Sequence, residues 1–158
     1  MEIVVISDSH GNIANLKHVM GFAKKIKSGA IVHCGDWNTL ESVETVLQCR
    51  IPVYGVVGNA DINERIAESL KLKAKKFEEK FLKFEIDGKK IGVIHDIKKL
   101  ETRDLDLDII FFGHWQKQKD TFWNGIRAIN PGALENNISF AIYDTDTNRV
   151  EFLSLKHE

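Results

Sequence analysis

Apolar runs recur along the chain, and each stops on a polar residue able to hold a cation. Ile3-Val4-Val5-Ile6 is the first. Four β-formers in a row predict a strand buried on both faces, because a half-buried strand would alternate. It ends in Ser7-Asp8-Ser9-His10-Gly11-Asn12, and the two-residue spacing predicts Asp8 and His10 on one face of an extended segment. Ile13, Leu16, Met20 and Ala23 keep helical spacing, which predicts an amphipathic helix from Asn12, near its N-cap, to about Lys27. Ala30 to Cys34 reads as a second buried strand ending in Gly35-Asp36, and Asn38 with Glu41 as the cap of a second helix. Val53 to Val57 reads as a third strand, ending in Gly58-Asn59-Ala60-Asp61. Strand, helix, strand, helix, strand predicts a parallel sheet with covering helices.

The pattern then changes. Glu64 to Leu70 reads as one or two helical turns, and Lys71 to Lys76 as a solvated basic face. Lys80–Ile86 and Lys89–His95 alternate around Asp87-Gly88, a hairpin signal. Asp108 to Phe112 is another buried strand, ending in Gly113-His114. A second hairpin turns at Asn124-Gly125 and runs into Asn130-Pro131-Gly132, and Ile138–Tyr143 with Val150–Leu155 form a third. The residues alone predict a mixed two-layer β core with helices outside.

Composition narrows the class. With 158 residues, 43% hydrophobic and 28% charged, the chain fits one soluble domain with a core of its own. A net charge of -1 offers no basic excess for nucleic acid and no acidic tail. Cys34 and Cys49 lack metal or redox spacing and sit in apolar segments, which predicts reduced, buried thiols and a cytoplasmic protein. No run is long enough to span a membrane, and the N-terminus carries no leader pattern.

Five strand ends therefore carry candidate ligands: Asp8 with His10, Asp36, Asn59, His95 and His114. Strand ends of one sheet can converge, and this mix of carboxylate, imidazole and amide oxygen suits Mn, Fe, Co or Zn rather than soft metals or calcium. More ligands are present than one tetrahedral ion needs, which predicts two ions with Asp36 between them. No cysteine or serine sits in a nucleophile motif. Elsewhere, His33 reads as a packed core residue, and His18 and His157 as solvent-facing. Asp61 is placed either behind the ligands, orienting one, or at a loop cap. Trp37 and Trp115 either wall the site or pack beneath loops, and Asn12 either touches phosphate or only caps its helix.

Asp-x-His, Gly-Asp, Gly-Asn-x-Asp, an isolated His after a strand and then Gly-His, in that order, resemble the calcineurin-like metallophosphoesterases. Asn130-Pro131-Gly132 and the chain length resemble the small YfcE-type phosphodiesterases among them. The resemblance spans nearly the whole chain. It implies one metallophosphoesterase domain over residues 1–158, in an α/β fold: a four-layer α/β/β/α sandwich of two mixed β-sheets flanked by helices. It implies one divalent ion on Asp8, His10 and Asp36, and a second on Asp36, Asn59, His95 and His114. Mn is the first expectation, with Fe, Co, Ni or Zn as alternatives. Two such ions about 3.5–4 Å apart activate a water as hydroxide for in-line attack on phosphorus. Asp36, Asn59 and His95 are then the centre of the catalytic machinery, with Asn12, Asn59 and Trp115 toward the substrate. The partner implied is a small phosphoester; nucleic acid and membrane are not, and a homo-oligomer stays open.

Three departures stand out. The family usually closes with Gly-His-x-His, whose last His ligates the first ion; here Gln116 offers a neutral amide oxygen instead, which predicts a weaker first site. Where many relatives have His-Gly-His, this chain has His95-Asp96-Ile97, which replaces a phosphate-binding imidazole and adds negative charge. Ala60 stands where many larger members have a catalytic His, so leaving groups of low pKa are favoured. These departures keep a second reading open, a metallophosphoesterase fold retained as a protein-binding scaffold, as in the retromer subunit that resembles this family.

Overall fold

The computed structural model describes residues 1–101 and 105–155; His157 lies outside them. Two sheets face each other across an apolar interior. The first has strand order β11-β10-β1-β2-β3-β4, formed by β1 (Glu2–Ile6), β2 (Ala30–His33), β3 (Val53–Gly55), β4 (Lys76–Phe77), β10 (Ser139–Asp144) and β11 (Val150–Ser154). β1 to β4 run parallel, while β10 and β11 add antiparallel at the far edge. The second sheet has the order β5-β6-β7-β9-β8, from β5 (Phe81–Ile86), β6 (Lys89–Ile94), β7 (Ile109–Phe112), β8 (Gln118–Trp123) and β9 (Ile126–Pro131). It too is mixed: β6, β7 and β9 are parallel, with an antiparallel hairpin arm at each edge.

Alternation along the strands sorts the apolar residues into layers. Ile3, Val5 and Val32 meet Ile91, Val93 and Phe111 between the sheets. Val4, Ile6 and Ile31 point the other way, onto α1 (Ile13–Lys25), α2 (Leu40–Leu47) and α3 (Glu64–Lys73). Each of these fully buried side chains contributes about 1.5–3 kcal/mol of transfer free energy. The outer face of the second sheet buries Ile94, Ile110, Phe112 and Ala128 under a 3₁₀ turn at Ile97–Lys99 and the side chains of Leu100, Leu107, Trp115 and Trp123. That fourth layer is thinner than the helical layer opposite it among the described residues.

Three elements differ from the sequence expectation. α3 runs for ten residues, through Lys73, although only Ile66 and Leu70 bury within it. Lys71, Lys73, Lys75 and Lys76 are exposed, as expected of a solvated basic face, and Lys76 with Phe77 adds β4, paired parallel with β3. The cap of α2 is Thr39, whose side chain accepts the N–H of Ser42, and not Asn38.

Candidate metal centre

At the carboxyl end of β1 the chain leaves the sheet at once. Asp8 and His10 have φ of 52° and 44°, so they come together through left-handed turns and not through β alternation, which corrects the extended-segment expectation. Asp36, His114 and Gln116 share this conformation, with φ of 65°, 71° and 63°. Left-handed backbone costs an L-residue about 1–2 kcal/mol, and such strain gathers at functional sites. Hydrogen bonds hold it here. The N–H groups of Asp8, His10 and Gly11 donate to the carbonyls of Gly35, Asp36 and Trp37, so the loop after β1 pairs with the loop after β2.

The carboxylates are divided between support and site. Asp8 Oδ2 accepts from Ser7 Oγ at 2.7 Å and from the N–H of His114 at 3.1 Å, leaving Oδ1 toward His10. Asp36 Oδ1 accepts the N–H of Ala60 at 2.9 Å, leaving Oδ2 3.4 Å from His10 Nε2 and 3.3 Å from His95 Nε2. The imidazoles are oriented the same way. His95 Nδ1 donates to the Cys34 carbonyl at 2.9 Å, and His10 Nδ1 to Asn38 Oδ1 at 3.2 Å. Each Nε2 therefore presents its lone pair to oxygen atoms. His95 Nε2 meets Asn59 Oδ1 at 2.9 Å as well as Asp36, while His10 Nε2 is buried with no hydrogen-bond partner among the described residues.

Lone pairs converging on carboxylate and amide oxygens require a cation between them. Ligand atoms about 2.1 Å from a tetrahedral divalent ion stand about 3.4 Å apart, the spacing around Asp36 Oδ2. The donor set therefore fits divalent metal. Without one, a proton is the available cation. Burial opposes charge on His95, but the adjoining Asp36 carboxylate, then Asp8 and the Cys34 carbonyl, raise its pKa. Burial likewise opposes charge on Asp36, yet His95, the Ala60 N–H and His10 hold it down at about 2. Burial raises Asp8.

Asp61 supports the centre from behind. Its Oδ2 accepts the N–H groups of Asp36 and Gly58, each at 2.9 Å, and its Oδ1 that of Asn38 at 2.7 Å. His33 is buried and ties the same loops together. Gly35 N–H donates to its Nδ1, so Nε2 carries the proton and donates to Ser9 Oγ, both at 3.0 Å. Burial keeps this imidazole neutral, with a pKa of about 3. Trp37 stacks on it at 3.7 Å, fully buried, and donates to the Val56 carbonyl. Trp37 thus packs beneath the loop and does not wall the site.

Asp8, His10 and Asp36 form the tight cluster, their ligand atoms all within 4.8 Å of one another. The second group is more open: His95 and Asn59 touch, but His114 is exposed and its ring stands edge-on to His95 with centroids 5.2 Å apart. This order of compactness is the reverse of the one expected from ligand count. Gln116 is exposed; its carbonyl accepts the Ala133 N–H, and its side chain makes no hydrogen bond among the described residues. Asn12 Oδ1 accepts the N–H of Asn15 and so caps α1. Trp115 packs edge-on against Phe112 and Trp123 in the outer layer. Asp96 Oδ1 accepts the Lys98 N–H at the start of the 3₁₀ turn, and Ile97 is fully buried. His18 is exposed on α1. Asn130 spans its own turn, donating to the Gly113 carbonyl and accepting from Gly132, which fixes the backbone entering His114. Two residues near the centre carry no recognisable sequence signal: Asn38, which orients His10, and Glu135, whose Oε1 lies 3.8 Å from His10 Nε2. A cavity of about 410 Å³ opens beside the second group, lined by Asn59, His95, His114, Asp96, Lys80 and Lys99.

Residues 1–148 match the sequence profile of the calcineurin-like phosphoesterase superfamily domain. A phosphodiesterase of Methanocaldococcus jannaschii is 22% identical over 138 residues, covering 84% of this chain and 83% of that protein. Among solved structures, one described as a novel archaeal phosphodiesterase superposes with a TM-score of 0.86 at 22% identity, over 98% of this chain and all of the other. The Escherichia coli phosphoesterase YfcE superposes at 0.73 with 16% identity, over 99% of this chain and 100% of its own.

Proposed function

The chain belongs to the calcineurin-like phosphoesterase superfamily, and from that premise we propose that residues 1–158 act as one metal-dependent phosphodiesterase domain using two divalent cations, Mn first among them. The observation that carries this reading is Asp36 Oδ2, one oxygen facing His10 Nε2 at 3.4 Å and His95 Nε2 at 3.3 Å. A shared carboxylate oxygen between two oriented imidazoles is what a bridged pair of cations requires. Asp8, His10 and Asp36 would hold one, and Asp36, Asn59, His95 and His114 the other. Such a pair supplies Lewis acidity toward the phosphoryl oxygens and lowers the pKa of a water to near neutrality.

The chain's own groups do the positioning. Asp61 fixes the backbone of Asp36 and Gly58. Asn59, on the loop that Asp61 braces, faces both His95 and the cavity, whose rim carries Lys80 and Lys99 beside Glu79 and Asp96. Ala60 supplies only a backbone N–H, to Asp36, so no imidazole from this loop protonates a leaving oxygen. Good leaving groups should therefore react fastest. The scaffold reading is not favoured: a protein-binding surface has no use for buried Nε2 lone pairs aimed at carboxylates. Among the described residues no helix is long and apolar enough to cross a membrane, and the free, buried thiols Cys34 and Cys49 support a reducing, cytoplasmic setting.

The test is hydrolysis by metal-stripped protein before and after Mn is restored. Activity on aryl phosphodiesters that appears with metal, vanishes with chelator and exceeds that on alkyl diesters supports the reading. Chelator-insensitive hydrolysis, or none at saturating metal, contradicts it.

A further inference from the structure

Glu135 follows the Asn-Pro-Gly turn and belongs to no motif, yet its backbone is fastened beside the first ligands. Its N–H donates to the Asp8 carbonyl at 3.3 Å, and its carbonyl accepts from Asn15 Nδ2 at 3.4 Å. The neighbouring Leu134 N–H donates to the Ser7 carbonyl at 2.9 Å. The side chain makes no hydrogen bond among the described residues, and Oε1 points at His10 Nε2. That nitrogen, buried and without a hydrogen-bond partner among the described residues, thus faces three carboxylate oxygens: Asp36 at 3.4 Å, Asp8 at 3.6 Å and Glu135 at 3.8 Å. Gln116, the residue at the expected sequence position, offers only a neutral amide oxygen. A hard or borderline divalent ion prefers the charged oxygen.

We propose that Glu135 ligates the first cation, in the coordination position that the sequence pattern assigns to Gln116. The proposal rests on the two-cation reading of the site. Asp8, His10 and Asp36 already lie within 4.8 Å of one another; Glu135 stands just outside that cluster, on a side chain one-third exposed and able to rotate inward. A carboxylate in this place raises the negative charge of the first site, so the departure at Gln116 need not leave that site weak.

The experiment is titration of metal-stripped wild type, Glu135→Gln and Gln116→Ala with Mn(II), with free and bound ion followed by electron paramagnetic resonance. Glu135→Gln keeps the side-chain volume and the backbone bonds, and circular dichroism checks the fold. The expected result is an affinity for one ion lowered by about 10–100-fold in Glu135→Gln, the scale of losing a supporting partner or more, with Gln116→Ala unchanged. Binding by Glu135→Gln equal to wild type, at whatever stoichiometry, overturns the proposal, as does a loss in Gln116→Ala alone. If Glu135→Gln loses an ion while metal-loaded wild type hydrolyses no phosphoester, this inference stands and the phosphodiesterase reading falls.

Discussion

The first sheet delivers Asp8, His10, Asp36 and Asn59 on loops that bond to one another, whereas the second sheet delivers His95 from the end of β6 and His114 from an exposed turn. On the first sheet the loops after β1 and β2 continue the strand pairing beyond the sheet, with three backbone bonds from Asp8, His10 and Gly11. His33 and Asp61 add side-chain ties from below and behind. On the second sheet His95 is held by the Cys34 carbonyl and by Asn59 Oδ1, both on loops of the first sheet, and the ring of His114 makes no hydrogen bond among the described residues. The comparison teaches that preorganisation in this centre is a property of one sheet, and that Asp36 carries it across to the other.

The largest effect should come from Gly58→Ala. A Cβ there would stand 2.2 Å from Asp36 Oδ1 and 2.7 Å from Asp36 N, so the shared carboxylate must move. Both ions should weaken, each by at least about 10-fold, in a variant that removes no ligand. Calorimetric metal titration checks this; loss of one ion only would break the link that Asp36 is said to make. Gly113→Ala acts first on the other end of the centre. Its Cβ would stand 2.0 Å from Ser7 Oγ and 2.8 Å from Asp8 Oδ2, the oxygen that also accepts the His114 N–H. The ion at Asp8 should weaken by about 10–100-fold and the one at His114 by less, and equal losses would contradict the division.

A smaller effect belongs to His33. Its folded pKa of about 3 lies below the ordinary 6.5 because burial opposes its charge. The unfolded chain takes up this proton first as pH falls below about 6.5, so metal-free protein loses stability from there down to about pH 3, at roughly 1.4 kcal/mol per unit at most. Above about 6.5 this group contributes no pH dependence. His33→Gln keeps an amide donor for Ser9 and removes the titration, so urea denaturation from pH 7 to 4 should show a shallower decline in the variant. Parallel declines would mean that His33 does not titrate with unfolding.

Much of this was legible in the residues. β1, β2 and β7 announce themselves as unbroken apolar runs because both their faces are covered, β6 as one arm of the Asp87-Gly88 hairpin, and the ligand types at their ends name the chemistry. α3 outruns its pattern because Ile66 and Leu70 alone carry the period, and β4 is hidden because a two-residue edge strand of Lys76 and Phe77 has no pattern. The aim of Asp8 and His10 was not legible: left-handed φ at non-glycine residues is imposed by tertiary hydrogen bonds, not by local preference. His33 read correctly as a core residue, but its tie between Ser9 and Gly35 depends on a tautomer set by a backbone N–H. Glu135 is invisible for a related reason, since 125 positions separate it from His10 and tertiary bonds to Ser7, Asp8 and Asn15 bring it there.

The claim on which the rest depends is that one oxygen of Asp36 joins two cations. Electron paramagnetic resonance of the wild type loaded with Mn(II), beside Asp36→Ala, addresses it directly. The account predicts two ions per chain giving an exchange-coupled spectrum, and loss of both ions from high-affinity binding in Asp36→Ala. Two ions with the hyperfine pattern of isolated Mn(II), or an Asp36→Ala protein that still binds both with wild-type affinity, would contradict it.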